Sequence, residues 1–181
     1  MKIIKLPLKG AYVFVPETIR DGRGEFERIF SKDEYLKLGL NSEIMQVNRS
    51  LTKKKGVIRG LHFQLPPHAE AKTVRCIRGS VYDVIIDIRK GSRTFLKWHA
   101  EILSAKNMKM IYVPEGFAHG FQTLENNCEM LYFHTAYYHK PSERGIRFND
   151  PAAGITWKLK PAGLSEKDAN QPLIGSAFKG V

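Results

Sequence analysis

The segment Gly56-Val-Ile-Arg-Gly-Leu-His-Phe-Gln64 begins like a buried strand but carries arginine, histidine and glutamine at close intervals. A strand that only filled a core would not need them, so they either face water or line a cavity. Histidine suits proton abstraction because its free pKa is about 6.5. Arginine suits phosphate because its planar guanidinium donates two hydrogen bonds at once. Strand alternation separates Arg59 from His62, so both reach one cavity only if Gly60 marks a bulge or bend.

A second chemical signal is the segment Val113-Pro-Glu-Gly-Phe-Ala-His-Gly120. Its Pro-x-Gly-x-x-His pattern after a strand resembles the second signature of cupins, small jelly-roll barrels with a site in the barrel mouth. Metal-binding cupins add a His-x-His pair and a glutamate, whereas this chain has only His62 at the corresponding place. A metal held by His62, His119 and a third ligand is one alternative, but the ligand set is incomplete. We therefore predict no metal.

Strand patterns dominate the sequence between about residues 43 and 138, and these strands must position the residues named above. Many short strands broken by glycine turns predict an all-β fold, a closed sandwich or cupin-like jelly-roll barrel with a few short peripheral helices. Residues 1–181 are expected to form a single domain. A helix is predicted at Ser31–Leu38, with Ser31 as N-cap and Gly39 as the stop. Further predictions are a hairpin of Val74–Ile77 with Val81–Ile88, strands Phe95–Leu103 and Met108–Val113, and a hairpin of Gly120–Leu124 with Glu129–Tyr138.

Composition narrows the class of partner. The 181 residues carry a net charge of +11, which favours an anionic partner such as nucleic acid, an acidic membrane or a phosphorylated small molecule. No nucleic-acid-binding motif accompanies the charge, and no apolar run approaches the ~18 residues of a membrane span. Cys76 and Cys128 form no CxxC pair, which fits free core thiols in a reducing cytoplasm. Neither nucleic acid nor membrane is expected as a partner, and a soluble surface rich in lysine is the plain alternative explanation of the charge.

Nine short motifs occur in order along nearly the whole chain, and together they resemble the dTDP-4-dehydrorhamnose 3,5-epimerase family of metal-free, cupin-like sugar-nucleotide epimerases. They are Asp21-Gly-Arg-Gly24, Val57-Ile-Arg-Gly-Leu-His-Phe-Gln64, Lys72-Thr-Val-Arg-Cys76, Val84-Ile-Ile-Asp-Ile-Arg-Lys90, Pro114-Glu-Gly-Phe-Ala-His-Gly-Phe121, Tyr137-Tyr138, Asn149-Asp-Pro151, Ile155-Thr-Trp157 and Leu164-Ser-Glu-Lys-Asp168.

The resemblance implies epimerisation at C3 and C5 of a nucleotide-linked 4-keto-6-deoxyhexose. Hydrogens on both carbons are acidic because both carbons lie alpha to the ketone, so the reaction needs a base, an opposed acid and enolate stabilisation. By similarity, His62 is the base, Asp168 orients it, Tyr132 is the acid and Lys72 is the cation beside the substrate. No cofactor is implied. His68 and His134 match nothing in the family pattern and are expected to be structural.

The resemblance also implies a substrate-binding set and a homodimer whose partner donates N-terminal residues to the site. Two departures from the family pattern concern recognition of the nucleotide base. Arg28 stands where the common pattern has glutamate, and Gln46-Val-Asn48 replaces Gln-Asp-Asn. The implied substrate is dTDP-4-dehydro-6-deoxy-D-glucose. Alternatives are an epimerase or ketoisomerase for a CDP-, UDP- or GDP-linked keto sugar, a metal-dependent cupin enzyme, or a non-catalytic sugar-nucleotide-binding jelly roll. The implied binding residues are Arg23, Arg28, Gln46, Asn48, Arg59, His119, Tyr138 and Glu143.

Overall fold

A computed structural model describes residues 1–175 and 177–181. This part of the chain is an all-β sandwich with two short helices, as predicted. The strands are β1 (Lys2–Lys5), β2 (Tyr12–Val15), β3 (Thr18–Asp21), β4 (Gly24–Glu27), β5 (Gln46–Thr52), β6 (Ile58–Gln64), β7 (Lys72–Arg78), β8 (Ser80–Asp87), β9 (Trp98–Ser104), β10 (Met110–Val113), β11 (Phe117–Thr123), β12 (Cys128–His134) and β13 (Glu143–Gly145), and the helices are α1 (Lys32–Lys37) and α2 (Glu166–Ala169).

Two antiparallel sheets face each other in a jelly-roll arrangement. One sheet has the order β1-β2-β10-β7-β12-β5 and the other β13-β6-β11-β8-β9, while β3 and β4 form a separate hairpin. The main core lies between the sheets, because it joins residues of the first, such as Val74 and Ile111, to residues of the second, such as Ile85 and Phe121. Burial of these apolar side chains is the main force that holds the sheets together.

The bulge predicted in β6 is confirmed. Gly60 and Leu61 of β6 lie opposite only one residue of β11, Gly120. Gly60 has a φ of +116°, and a Cβ atom on it would come 2.6 Å from the Cα atom of Gly120, so only glycine fits. The extra residue resets the alternation of the strand, and both Arg59 and His62 consequently line one cavity.

Both predicted hairpins are wrong. β7 pairs with β10 and β12, whereas β8 pairs with β9 and β11. In the same way, β11 and β12 belong to different sheets. The glycine turn at Gly79 is therefore a corner that carries the chain from one sheet to the other. A short turn permits either outcome, and the partner of each strand is decided by which surfaces it buries.

Smaller differences concern element ends. β9 begins at Trp98 rather than Phe95, because the hydroxyls of Ser92 and Thr94 both donate to a carboxylate oxygen of Asp87, at 2.6 Å each, and hold the preceding segment as a loop. β10 begins at Met110 rather than at residue 108, and β12 ends at residue 134 rather than 138.

The helix and cysteine predictions are confirmed. α1 forms with Ser31 at its N-cap, although the Ser31 side chain makes no capping hydrogen bond. Gly39 follows the helix with a φ of +67°. Cys76 and Cys128 are buried free thiols. No helix of the described residues is long and apolar enough to cross a membrane.

Candidate active site

A cavity of about 650 Å³ opens between the two sheets. Its walls come from β5, β7 and β12 of one sheet, from β6 and β11 of the other, and from the segment 163–168 that contains α2. Side chains that are more than 100 residues apart in the chain therefore meet in one space. Nine of the twelve implied site residues line it: Asn48, Arg59, His62, Lys72, His119, Tyr132, Tyr138, Glu143 and Asp168.

His62 and Asp168 form a hydrogen-bonded dyad. Nε2 of His62 lies 2.6 Å from Oδ1 of Asp168, and the other carboxylate oxygen accepts from the backbone N–H of Gly60 at 3.3 Å. Ser165, the N-cap of α2, accepts a hydrogen bond from the Asp168 N–H and so anchors the start of the helix. Burial opposes ionisation of Asp168, but hydrogen bonding to His62 and the histidine charge outweigh it and lower the Asp168 pKa. The ionised carboxylate fixes the proton on Nε2 and leaves Nδ1 as the basic nitrogen.

Tyr132 provides a neutral phenol in the same cavity. Its hydroxyl lies 2.9 Å from the hydroxyl of Ser50 on the neighbouring strand β5. Burial raises the pKa of Tyr132 to about 12, although the hydrogen bond with Ser50 acts in the opposite direction. The phenol therefore keeps its proton at neutral pH and can donate it to a carbanion.

A buried polar network extends the wall that holds Tyr132. One carboxylate oxygen of Glu70 lies 3.3 Å from Nζ of Lys72, and the other lies 2.7 Å from Nδ1 of His134. His134, which was predicted to be structural, lines the cavity. Its Nε2 atom lies 3.4 Å from the side-chain nitrogen of Asn48. His68 lies outside the cavity and stacks on His139, with ring centroids 3.7 Å apart.

His119 belongs to a more deeply buried pair. Its Nε2 atom lies 2.9 and 3.0 Å from the two carboxylate oxygens of Asp83, which is fully buried. Burial lowers the pKa of His119 and outweighs the opposing effect of Asp83. A neutral imidazole carries one N–H, which here donates to Asp83, so its other ring nitrogen is left as an uncharged hydrogen-bond acceptor.

Four further cavity residues, Arg59, Tyr138, Glu143 and Lys167, lie at its more exposed part. The guanidinium of Arg59 donates to the backbone carbonyl of Leu51 at 3.4 Å. Tyr138 donates its hydroxyl proton to Glu143 at 2.9 Å, and Glu143 also pairs with Lys167. Burial opposes ionisation of Glu143, but the hydrogen bonds from Lys167 and Tyr138 prevail and lower its pKa.

Three implied binding residues lie outside the cavity. The side-chain oxygen of Gln46 accepts from the backbone N–H of Tyr138 at 2.9 Å, so Gln46 supports this aromatic residue rather than lining the cavity. Arg23 lies at the tip of the β3–β4 hairpin, 91% exposed and paired with Asp21. Arg28 is exposed just after β4. Neither arginine lines the cavity, and the hairpin that carries Arg23 pairs with neither main sheet.

Sequence reasoning missed further cavity residues, among them Ser50, Glu70, His134 and Lys167. Alternation could have found two of them, since Ser50 and His134 lie on the same sheet face as Tyr132. Glu70 lies in a loop and carries no pattern signal. Among residues 1–175 and 177–181, no group of three or more histidine, cysteine or acidic side chains is arranged to hold a metal ion.

Comparison with known proteins gives consistent matches over almost the whole chain. The family model described as dTDP-4-dehydrorhamnose 3,5-epimerase matches residues 5–176. The epimerase of that name from Shigella flexneri is 42% identical over 171 residues, which is 94% of each chain. The crystal structure of the Elizabethkingia anophelis enzyme has a TM-score of 0.93 at 41% identity and covers 98% of both chains. The dTDP-6-deoxy-D-glucose-3,5-epimerase of Legionella pneumophila, solved with dTDP-4-keto-L-rhamnose, has a TM-score of 0.90 at 38% identity, with coverage of 95% of this chain and 92% of that one.

Proposed function

Because the chain belongs to the dTDP-4-dehydrorhamnose 3,5-epimerase family, we propose that it is an isomerase that inverts C3 and C5 of dTDP-4-dehydro-6-deoxy-D-glucose and produces dTDP-4-dehydro-L-rhamnose. The observation that carries the proposal is the presence of the His62–Asp168 dyad and the neutral phenol of Tyr132 in one cavity. A base and an acid on separate walls are what inversion at carbon requires.

The proposed steps are the same at both carbons. His62 removes the proton alpha to the ketone, the C–H electron pair forms the enolate, and Asp168 stabilises the resulting imidazolium. The ammonium of Lys72 stabilises the enolate oxygen. Tyr132 then donates its proton to the opposite face of the carbon. Exchange with solvent returns a proton to the phenolate and removes one from the imidazolium, so the cycle balances without a redox cofactor.

Substrate binding is assigned to the polar groups around this centre. Arg59 suits the diphosphate because a guanidinium donates paired hydrogen bonds to phosphate oxygens. The neutral His119 donates its one N–H to Asp83 and therefore offers Nδ1 as a hydrogen-bond acceptor for a sugar hydroxyl. Tyr138 offers an aromatic face for the nucleotide base, while Asn48 and Glu143 offer hydrogen bonds to the nucleotide and sugar.

A second copy of the chain is proposed to complete the site. The β3–β4 hairpin exposes two large apolar side chains, Ile19 at 66% and Phe26 at 68%, which would gain stability from burial against a partner. The same hairpin carries Arg23, and Arg28 follows it. In a homodimer these arginines would supply their charge to the nucleotide end of the partner's cavity.

The test is NMR of the protein with dTDP-4-dehydro-6-deoxy-D-glucose in heavy water. We expect deuterium at both C3 and C5 and formation of the L-configured product, with activity unchanged after dialysis against a chelator. Substrate binding without exchange at either carbon would refute catalysis. Deuterium at one carbon only would indicate a single-centre epimerase. Faster turnover of a CDP-, UDP- or GDP-linked analogue would change the nucleotide assigned to the substrate.

A further inference from the structure

Glu70 is a nearly buried carboxylate that none of the proposed steps uses. Its side chain is 11% exposed, and those of its partners Lys72 and His134 are 9% and 11% exposed. Both carboxylate oxygens are engaged, one by each partner, and all three residues line the cavity. Such a shared carboxylate fixes the position of two side chains at once.

The network has a direct consequence for Lys72. An ammonium removed from water favours its neutral form unless an opposite charge lies close by. Burial opposes the charge on Glu70 as well, but the charge of Lys72 and the hydrogen bond with His134 prevail and lower the Glu70 pKa to about 2. Glu70 is therefore a permanent anion beside the lysine at any pH at which the enzyme would work.

We propose that Glu70 is a positioning residue that keeps Lys72 charged and fixed on the Tyr132 wall of the cavity, with His134 as the second anchor of its carboxylate. The inference rests on the proposed function, in which the Lys72 ammonium stabilises the enolate oxygen. It assigns to Glu70 no contact with substrate. His134 holds the carboxylate so that it cannot turn away from the lysine.

The other groups that face this network determine how pH acts on it. His134 and Tyr132 approach from β12, and His119 approaches from β11 and interacts electrostatically with Lys72. Burial raises the pKa of Tyr132 to about 12, so the phenol stays neutral across the useful range. Glu70 is the anion hydrogen-bonded to the Lys72 ammonium. If it is neutralised, the lysine loses its proton at lower pH, so activity should be lost earlier as pH rises.

The primary test is Glu70→Gln, assayed for epimerisation between about pH 6 and about pH 9, a range in which a poorly stabilised ammonium titrates. We expect kcat at the alkaline end to fall roughly 10- to 100-fold, the loss expected for one charge-assisted hydrogen bond. KM should change much less, because the enolate charge exists only after proton removal. The pH at which kcat falls on the alkaline side should be lower than in the wild type by about one pH unit or more. The matched control is Glu43→Gln, which removes an exposed carboxylate paired with Lys32 and should leave the profile unchanged.

Two further variants separate positioning from folding. Glu70→Asp keeps the charge and should restore the alkaline limb at least in part. In a double-mutant cycle, Glu70→Gln should cost little more on a Lys72→Met background, because its effect passes through the lysine. If the wild type is active and Glu70→Gln leaves its pH profile unchanged, the positioning role alone is overturned. The same follows if Glu70→Gln lowers activity equally in the wild type and in Lys72→Met. An inactive wild type would refute the proposed function and this role together.

Discussion

At the residue scale, three histidine–carboxylate pairs line or adjoin one cavity, and their surroundings give them different roles. The His62–Asp168 pair stands partly exposed, where a base must reach substrate. Burial lowers the pKa of His119 in its pair with Asp83, which suits a neutral imidazole whose free nitrogen accepts a hydrogen bond. The third pair joins His134 to Glu70 and through it to a cation. Similar chemical partners are thus suited to three different proposed roles: a base, a hydrogen-bond acceptor and a support.

The hydroxyl of Ser50 yields a test of the acid. It is within hydrogen-bond distance of the Tyr132 phenol and is placed to orient the O–H for donation to carbon. We expect Ser50→Ala to lower the rate of product inversion by about tenfold, the value of one well-placed hydrogen bond, while deuterium exchange is nearly retained because His62 still removes the proton. NMR in heavy water measures both rates in one sample.

Ser50→Thr is the matched control, because it keeps a hydroxyl and suits a strand. Its ratio of inversion to exchange should stay close to that of the wild type. A Ser50→Ala variant with an unchanged ratio would show that the phenol needs no such orientation.

The sequence could provide the identities of the candidate site residues but not the contacts between them. His62, Lys72 and Asp168 could be named because they occur in recognisable motifs, and Tyr132 because of the family resemblance alone. Glu70 could not be found, because a glutamate in a loop becomes informative only when its partners on β7 and β12 are known. The place of His134 beside the cavity could not be found for the same reason, since its partner carboxylate lies 64 residues away in the chain.

At the element scale, the bulge in β6 determines whether His62 and Arg59 line the same cavity. Gly60→Ala would place a Cβ atom 2.6 Å from the Cα atom of Gly120 in a left-handed backbone conformation. We expect this variant to lower the free energy of unfolding by about 3 kcal/mol or more, because backbone on both sides must shift. Urea denaturation measures the change.

Gly22→Ala is the control, because nothing lies within 4 Å of its added Cβ atom and its φ is not left-handed. Its free energy of unfolding should change by less than about 1 kcal/mol. Equal urea midpoints for the two variants would show that the bulge tolerates a side chain.

Strand positions from β7 to β12 were largely predictable from periodicity, whereas β1–β4 were not predicted and the strand partners were predicted wrongly. The runs around Gly79 have the appearance of a hairpin, yet they enter different sheets. The difference lies in long-range burial, because each strand pairs where its apolar faces are best covered. The bulge, by contrast, could be predicted, because Arg59 and His62 would lie on opposite faces of a regular strand but were both expected to line one cavity.

At the scale of the whole molecule, the sandwich assembles a site from distant parts of the chain. His62 comes from β6, Tyr132 from β12 and Asp168 from α2, and the core between the sheets supplies the free energy that holds these segments together. The net charge of +11 also suits a substrate that carries a diphosphate. The fold class followed from the many short strands, whereas the cavity required the actual pairing of the two sheets.

The most direct test of the central claim compares His62→Ala with Tyr132→Phe by NMR in heavy water, with exchange and inversion followed in the same sample. We expect His62→Ala to lose exchange at both carbons, because no other group removes the proton. Tyr132→Phe should keep part of the exchange but lose the inverted product, because the proton can return only to the face it left. Wild-type exchange in His62→Ala would contradict the role of the dyad, and an unchanged yield of inverted product in Tyr132→Phe would contradict that of the phenol.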